Sequence, residues 1–349
     1  MRSMTGRTPR QRGLTLIELL VAMVIGLVIV LAAVASLTVA RTGFVAVDAA
    51  SQLRDSGRFA SDLIQRIGAQ AGYRDVFVAA GAVDPVPNPA RTPSVGGFNN
   101  ALINTTDPTT AGSTRASSDP GFGSDVLILR YQAAQLYSGS LDPTKATLAD
   151  QSMIDCAGNT LATVPNPADP DPTKANLAYD SRIVSVFHVA MNQGEPSLMC
   201  TYSATGTAPW TTVPVIQGVE RFQVLFGTDG VIARTATVAT TTPDVPDRYL
   251  RADEVQVPAS DVATKANWRR VRSIRVGLVL RAAPGTAQDS AAQAFHPFGE
   301  AASSGAPGAA AGSAFASSAD EGTDFRPTPD RRLRQSVTFT VHLRNDQGL

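Results

Sequence analysis

The sequence is poor in the residues that build catalytic and metal centres. Its 349 residues include three histidines and two cysteines. The histidines are widely spaced, and neither a C-x-x-C nor an H-E-x-x-H motif occurs. No Ser-His-Asp or Cys-His arrangement stands out either. We therefore expect a structural protein rather than an enzyme, with no metal and no cofactor.

The sequence also lacks an excess of charge of either sign. Thirty basic side chains balance 30 acidic ones. A protein whose main partner is nucleic acid usually carries a basic excess, so we predict no direct nucleic-acid binding.

What the sequence does contain is a long apolar segment at residues 14–40. It has 27 residues, 16 of them Leu, Ile or Val, and its one charged side chain is Glu18. About 20 apolar residues suffice to cross a bilayer. The preceding leader carries Arg2, Arg7, Arg10 and Arg12 and no acid. The positive-inside rule predicts that the N-terminus stays cytoplasmic and that the rest is exported.

Three interpretations of this segment differ in how they treat Glu18, which costs roughly 2.5–3.5 kcal/mol at a bilayer centre. A cleaved signal peptide has an apolar core of about 7–15 residues before its cleavage site, shorter than the one here. A plain signal anchor explains the length but not the acid. The third interpretation places cleavage after Gly13, which leaves the helix on the mature protein.

The third interpretation rests on a resemblance. The segment resembles the type IV prepilin signature, with Leu14 where the family usually has Phe: Gly13-Leu14-Thr15-Leu16-Ile17-Glu18. The resemblance implies that prepilin peptidase cuts between Gly13 and Leu14 and that Leu14 is N-methylated. It also implies that Glu18 is an assembly determinant, paired in the filament with the amine of a neighbouring subunit. Such pairing would offset the cost of burying the carboxylate.

The helix is predicted to continue beyond the membrane. No proline interrupts residues 41–70, and apolar residues recur there at helical spacing: Ala49, Leu53, Ala60, Leu63, Ile64, Ile67 and Ala71. We expect one helix from Leu14 to about Ala71, roughly 87 Å long, with Gly68, Gly72 and Tyr73 as its stop signal. The predicted organisation is a leader at 1–13, a membrane and filament-core helix at 14–40, an exported helical half at 41–72, and a body at 73–349.

The body is predicted to be rich in antiparallel strands. Short apolar or alternating runs occur at residues 125–131, 182–189, 197–202, 219–226, 274–280 and 337–343. Alternation of period two indicates half-buried antiparallel strands. A helix followed by strands is an α+β order.

Two long segments and two cysteines complete the body. Residues 79–123 and 282–330 are rich in small and polar residues, and we expect flexible loops there, either spacers or ligand-binding segments. Cys156 and Cys200 form a disulfide if the body is exported, which would give roughly 4 kcal/mol in the chain-entropy model. The alternative is two unpaired buried thiols.

Motifs along the whole chain narrow the resemblance to the large minor pilins called PilW. They include Gly57-Arg58, Ala71-Gly72-Tyr73, Gly123-Ser124-Asp125, Cys156-Ala157-Gly158, Leu198-Met199-Cys200, Gly218-Val219-Glu220, Trp268-Arg269-Arg270-Val271 and Leu343-Arg344-Asn345. The resemblance implies a type IV pilin-like fold and a subunit that initiates or caps the pilus, and so supports twitching motility or adhesion. The implied partners are prepilin peptidase, other minor pilins, the major pilin, the inner-membrane assembly platform and a tip adhesin. The implied location is the inner membrane with the body in the periplasm, then the pilus on the cell surface. Two alternatives remain, a type II secretion minor pseudopilin and a tip adhesin or ligand-binding module.

Overall fold

The computed structural model describes residues 13–74, 91–134, 136, 149–161, 182–237, 245–287, 291–299 and 324–345. Its helices are α1 (Leu16–Gln70), α2 (Ala252–Val255) and α3 (Asp261–Trp268). Its strands are β1 (Val95–Phe98), β2 (Ala101–Ile103), β3 (Ala111–Thr114), β4 (Val126–Tyr131), β5 (Ile183–Asn192), β6 (Glu195–Ser203), β7 (Thr211–Gln217), β8 (Val219–Thr228), β9 (Arg248–Leu250), β10 (Val271–Arg281) and β11 (Arg334–His342). One long helix followed by antiparallel strands confirms the α+β prediction.

Helix α1 has 55 residues and begins two residues later than predicted. Thr15 is its N-cap, and Glu18 completes a capping box with it. The helix ends before Ala71, and Gly72 takes a positive φ of 80° that glycine adopts without steric cost. At about 1.5 Å per residue the helix is roughly 82 Å long.

The strands form two antiparallel sheets and a hairpin. The first sheet has the order β1-β4-β5-β6-β7, the second has the order β11-β10-β8-β9, and β2 pairs with β3. The strands β4 to β7, with β1, pair separately from the strands β8 to β11.

One hydrophobic core joins the two sheets to the C-terminal half of α1. Ile64 of α1, Phe187 of the first sheet and Phe222 of the second are all buried in it. A second, smaller cluster lies on the other face of the first sheet, under the β2–β3 hairpin, and includes Val126, Ile128 and Val186. The first sheet is therefore covered on both faces, which explains why every residue of β4 is buried.

Glycines set the distance between α1 and β11. A Cβ atom at Gly57 would lie 2.8 Å from Val337 Cγ2, and one at Gly68 would lie 2.5 Å from Val341 Cγ1. Both distances are below van der Waals contact, so a side chain at either position would push the helix off the strand. The interpretation of Gly68 as a stop signal is wrong, because Gly68 is a helix-packing residue inside α1.

The prediction of a loop over 79–123 is wrong for its described part. Residues 95–114 contain β1, β2 and β3, and Arg115 is buried there with its guanidinium donating to four backbone carbonyls. The glycines and prolines of this region obscure the strand pattern in the sequence. Residues 79–90 lie outside the described part of the chain.

The described residues of the predicted loop 282–330 form turns and one isolated β-bridge, and they pack against the second sheet. Phe295 and Phe325 exchange backbone hydrogen bonds of 2.8 and 2.9 Å. Pro297 lies against Gly277 of β10, where a Cβ would be only 2.7 Å from the proline Cβ. The Arg221 guanidinium of β8 lies 4.1 Å from the centre of the Phe325 ring. These segments therefore cover the outer face of the second sheet. Residues 288–290 and 300–323 lie outside the described part.

Candidate functional site

The residues predicted to be cleaved and methylated precede α1 and are fully accessible. Gly13 and Leu14 lie in a non-helical stretch, and Leu14 is 78% exposed. Nothing lies within 4 Å of the position that a Cβ of Gly13 would take. An exposed, irregular segment of this kind is a ready substrate for proteolysis.

Glu18 has a partner in its own chain. Its Oε2 accepts hydrogen bonds from the Thr15 backbone amide at 2.8 Å and from Thr15 Oγ1 at 3.0 Å. In return Thr15 Oγ1 accepts from the Glu18 amide at 3.4 Å. The carboxylate therefore folds back toward the helix N-terminus, where the helix dipole favours negative charge. This brings it to the residue next to Leu14.

No other described part of the chain covers the first half of α1. Every residue from 13 to 42 is exposed, and burial on the body begins at Ala49. By length and composition α1 is one helix that could cross a membrane. So large an apolar surface must be buried by lipid or by other subunits.

The two cysteines lie in the body, outside α1. Cys156 and Cys200 are joined in a disulfide, with their Cα atoms 5.7 Å apart. The bond ties the segment at residues 149–161 to β6. Gln70, the last residue of α1, holds the same segment through hydrogen bonds of 2.8 and 3.0 Å with the backbone of Ile154. The segment is thus fixed to both the sheet and the end of the helix.

A network of ion pairs, which the sequence analysis missed, connects the two sheets. Glu195 at the start of β6 pairs with Arg281 of β10 at 2.7 Å and with Arg332 at 2.9 Å. Glu220 of β8 pairs with Arg281 at 2.9 Å and with Arg334 of β11 at 2.6 Å. The hydrogen bonds from Arg332 and Arg281 hold the pKa of Glu195 below its usual value. No sequence signal could have found the network, because its members come from four separate strands and a loop.

Clustered metal ligands and buried titratable groups are the features of the described body that bear on chemistry. Among the described residues, no group of three or more His, Cys, Asp and Glu could hold a metal ion. Buried His188 donates or accepts one hydrogen bond with Thr201 Oγ1 at 2.9 Å, and burial lowers its pKa to about 4. It is a neutral core residue at physiological pH.

Two family models match separate parts of the chain. A model of the prokaryotic N-terminal methylation motif matches residues 8–34. A family model described as type IV pilus-assembly protein W matches residues 186–345. A solved structure of a type IV-like pilin from Thermus thermophilus is 13% identical, with a TM-score of 0.37 and coverage of 84% of this chain and 98% of that one. No curated protein matches the sequence.

A methylation motif at the start of a long, uncovered apolar helix defines the class of type IV pilin-like subunits. The second match narrows the class, and the chain is a type IV pilus minor pilin of the PilW family. Membership implies processing by a peptidase and assembly with other pilins, and it points to a structural subunit.

Proposed function

We propose that prepilin peptidase cleaves this minor pilin between Gly13 and Leu14 and methylates Leu14. The mature chain then waits in the inner membrane, with its N-terminus cytoplasmic and its body in the periplasm. It joins other minor pilins and the major pilin through the assembly platform, and so primes or caps the pilus that serves motility or adhesion.

The observation that carries the proposal is the uncovered first half of α1, with its one acid at the N-terminus. A helix whose residues 16–42 are all exposed serves a membrane first and a filament core later. The leader arginines favour a cytoplasmic N-terminus, and the disulfide is suited to an oxidising compartment such as the periplasm.

We propose that, in the filament, Glu18 gives up its hydrogen bonds with Thr15 and pairs with the methylated amine of a neighbouring subunit. Thr15 offers the carboxylate neutral donors only, whereas a protonated amine adds the attraction of an opposite charge, which is strong where water is excluded. The exchange therefore favours the assembled state over the waiting state.

The processing step is tested by Gly13→Ala. The expected result is a persistent full-length band on immunoblots and no methylated Leu14 in N-terminal mass spectrometry. The matched control is Gly26→Ala, another glycine with nothing within 4 Å of its added Cβ. It should mature normally. Normal maturation of Gly13→Ala would contradict the proposal.

A further inference from the structure

Strand β11 is an open edge of the second sheet. It is the end strand in the order β11-β10-β8-β9, and it pairs with β10 over its nine residues without a register shift. Ser336, Thr338 and His342 are exposed. The interior of the strand, residues 335–341, contains no proline and no charged side chain. Natural proteins usually protect an edge strand with such residues, with a bulge, with a cover or by keeping the strand short.

The other edge strands of the two sheets have such protection. Strand β1 is covered, since Val95 and Gly97 are buried. Strand β7 carries Pro214 and a register shift beside it. Strand β9 has only three residues. Strand β11 is therefore the edge at which a further strand can be added to this body.

The hydrogen-bond register shows which backbone groups of β11 point outward. Leu333 O accepts from the Ala282 amide at 2.8 Å, and the Leu343 amide donates to Arg272 O at 2.9 Å. The register between these two bonds is unbroken, so the odd-numbered residues bond to β10. The residues that direct their N–H and C=O groups away from the sheet are the even-numbered ones, Ser336, Thr338, Thr340 and His342. Within the described part of the chain, nothing bonds to these groups.

The part of α1 beside this edge presents arginines. Val337 of β11 lies on Gly57 of α1. With 3.6 residues per turn, Arg54 and Arg58 lie about 60° and about 100° round the helix from Gly57, whereas buried Ala60 lies about 60° round in the opposite sense. Strand β10 is on the core side of β11, so the outer edge of β11 projects to the side of the arginines. Both arginines are exposed, and neither forms an ion pair with a described residue.

These charges favour an acidic strand over a second copy of this chain. The acids of the same part of α1, Asp55 and Asp62, lie further round, about 160° and about 140° from Gly57. Two copies joined edge to edge at β11 would bring Arg54 and Arg58 of one copy toward those of the other, and such like-charge contacts are unfavourable. A strand with carboxylates on the side of α1 would instead match the two arginines.

We propose that β11 binds an extended segment of a partner polypeptide that carries acids at alternate positions. The segment adds antiparallel to β11 and exchanges backbone hydrogen bonds with Ser336, Thr338 and Thr340. Side chains alternate between the two faces of a strand, so its carboxylates point toward Arg54 and Arg58 and its other side chains lie beside the hydroxyls of β11. The partner binds through the body, so the inference goes beyond the assembly role proposed above and depends on neither cleavage nor Glu18.

The test measures peptide binding by the full chain in detergent micelles, using fluorescence anisotropy. The probe is a labelled peptide as long as β11 that alternates threonine and glutamate, and its charge control has glutamine in place of glutamate. We expect the glutamate peptide to bind roughly 5-fold more tightly, because each exposed ion pair adds a little affinity. High salt should remove the difference, since it screens exposed charges.

Two N-methylated forms of the glutamate peptide test the backbone ladder. In the proposed register the threonines exchange hydrogen bonds with β11, and the glutamate amides point to solvent. N-methylation of the threonine amides should therefore reduce affinity at least ~10-fold, because each lost hydrogen bond costs about 1 kcal/mol. N-methylation of the glutamate amides is the matched control and should leave binding nearly unchanged.

Variants of the chain locate the site. Ser336→Pro removes an outward N–H and keeps the ladder with β10, so it should weaken both unmethylated peptides at least ~10-fold; Ser336→Ala is its control and should bind normally. The double variant Arg54→Gln, Arg58→Gln should remove the preference for glutamate. Arg66→Gln, an exposed position about 180° from Gly57, should change nothing.

Equal affinity for the two unmethylated peptides, no binding at all, or binding that survives N-methylation of the threonines would overturn the proposal. Self-association of the chain that Ser336→Pro abolishes would assign the edge to a second copy and overturn it as well. If Ser336→Pro does not fold, the methylated peptides keep the test decisive on the unaltered chain. Gly13→Ala and Glu18→Ala should bind the peptide normally, so a failure of assembly and a failure of this binding are distinguishable.

Discussion

The carboxylate of Glu18 lies 2.8 Å from the backbone nitrogen of Thr15, within one turn of the same helix. An acid that looks unpaired in the sequence thus has a partner before any other subunit arrives. The hydrogen bonds from Thr15 lower the cost of holding the acid near a membrane. On the function proposed above, Glu18 has two separable roles, a helix cap in the single chain and an ion-pair partner in the filament.

Glu18→Gln should separate these two roles. Glutamine also completes a capping box, so the helix start is kept while the charge is lost. We expect normal processing but entry into filaments reduced by roughly tenfold or more, because an unmatched buried charge costs ~3–5 kcal/mol. Immunoblots of sheared pili against membrane fractions measure it, with Glu18→Ala as the comparison. Normal assembly of Glu18→Gln would show that Glu18 supports assembly through the helix cap and not through its charge.

Gly68→Ala should destabilise the body. Its added Cβ would lie 2.5 Å from Val341 Cγ1, and overpacking of this kind costs about 1–3 kcal/mol. The matched control is Gly43→Ala in the same helix, which has nothing within 4 Å and should be neutral or stabilising by up to ~1 kcal/mol. Thermal unfolding of the chain in detergent measures both. Equal melting temperatures would show that α1 and β11 do not pack this closely.

Removing the disulfide should destabilise the body without changing processing. The double variant Cys156→Ala, Cys200→Ala should lose about 4 kcal/mol of unfolding free energy, the chain-entropy value for a sequence separation of 44 residues. Denaturant unfolding measures the loss. Wild-type protein unfolded under reducing conditions is the control and should lose a similar amount. A double variant as stable as the oxidised wild type would contradict the prediction.

The ion-pair network should make stability depend on pH below neutrality. Arg334 lowers the pKa of Asp330, and Arg332 and Arg281 lower that of Glu195. A carboxylate whose folded pKa is depressed contributes stability above its unfolded pKa and loses it as pH falls through the folded pKa. Melting temperature should therefore fall on acidification below the ordinary values of 4.5 for Glu195 and 3.8 for Asp330. Arg332→Gln should lower the melting temperature at pH 7, and the melting temperature of this variant should fall less on acidification than that of the wild type. An equal fall in the two proteins would exclude the network as the source of the pH dependence.

The helix and most long strands could be predicted because their signals are local. The helical spacing of apolar residues between Ala49 and Ala71 predicts α1. The alternation of Ile274, Val276 and Leu278 predicts β10. Strand β7 was not predicted, since Pro214 and its threonines weaken the apolar pattern of an edge strand. Strand β1 was not predicted because Gly96 and Gly97 resemble a turn.

The ion-pair network could not be predicted from any local pattern. Glu195 and Arg332 are brought together only by the way in which the two sheets pack. Spacing along the chain carries no information about such pairs, whereas it does for Thr15 and Glu18.

The packing of β11 on α1 also has a consequence for the order of synthesis. Val337 lies on Gly57 and Val341 on Gly68, so one of the last strands to leave the ribosome covers one of the first segments to leave it. Chains are made from the N-terminus at about 5–20 residues per second, so α1 waits through nearly the whole of translation for this contact. A chain that stops before residue 334 has a complete membrane segment but lacks the strand with which the rest of α1 makes most of its contacts. A short C-terminal truncation should therefore resemble a defect at the opposite end of the protein.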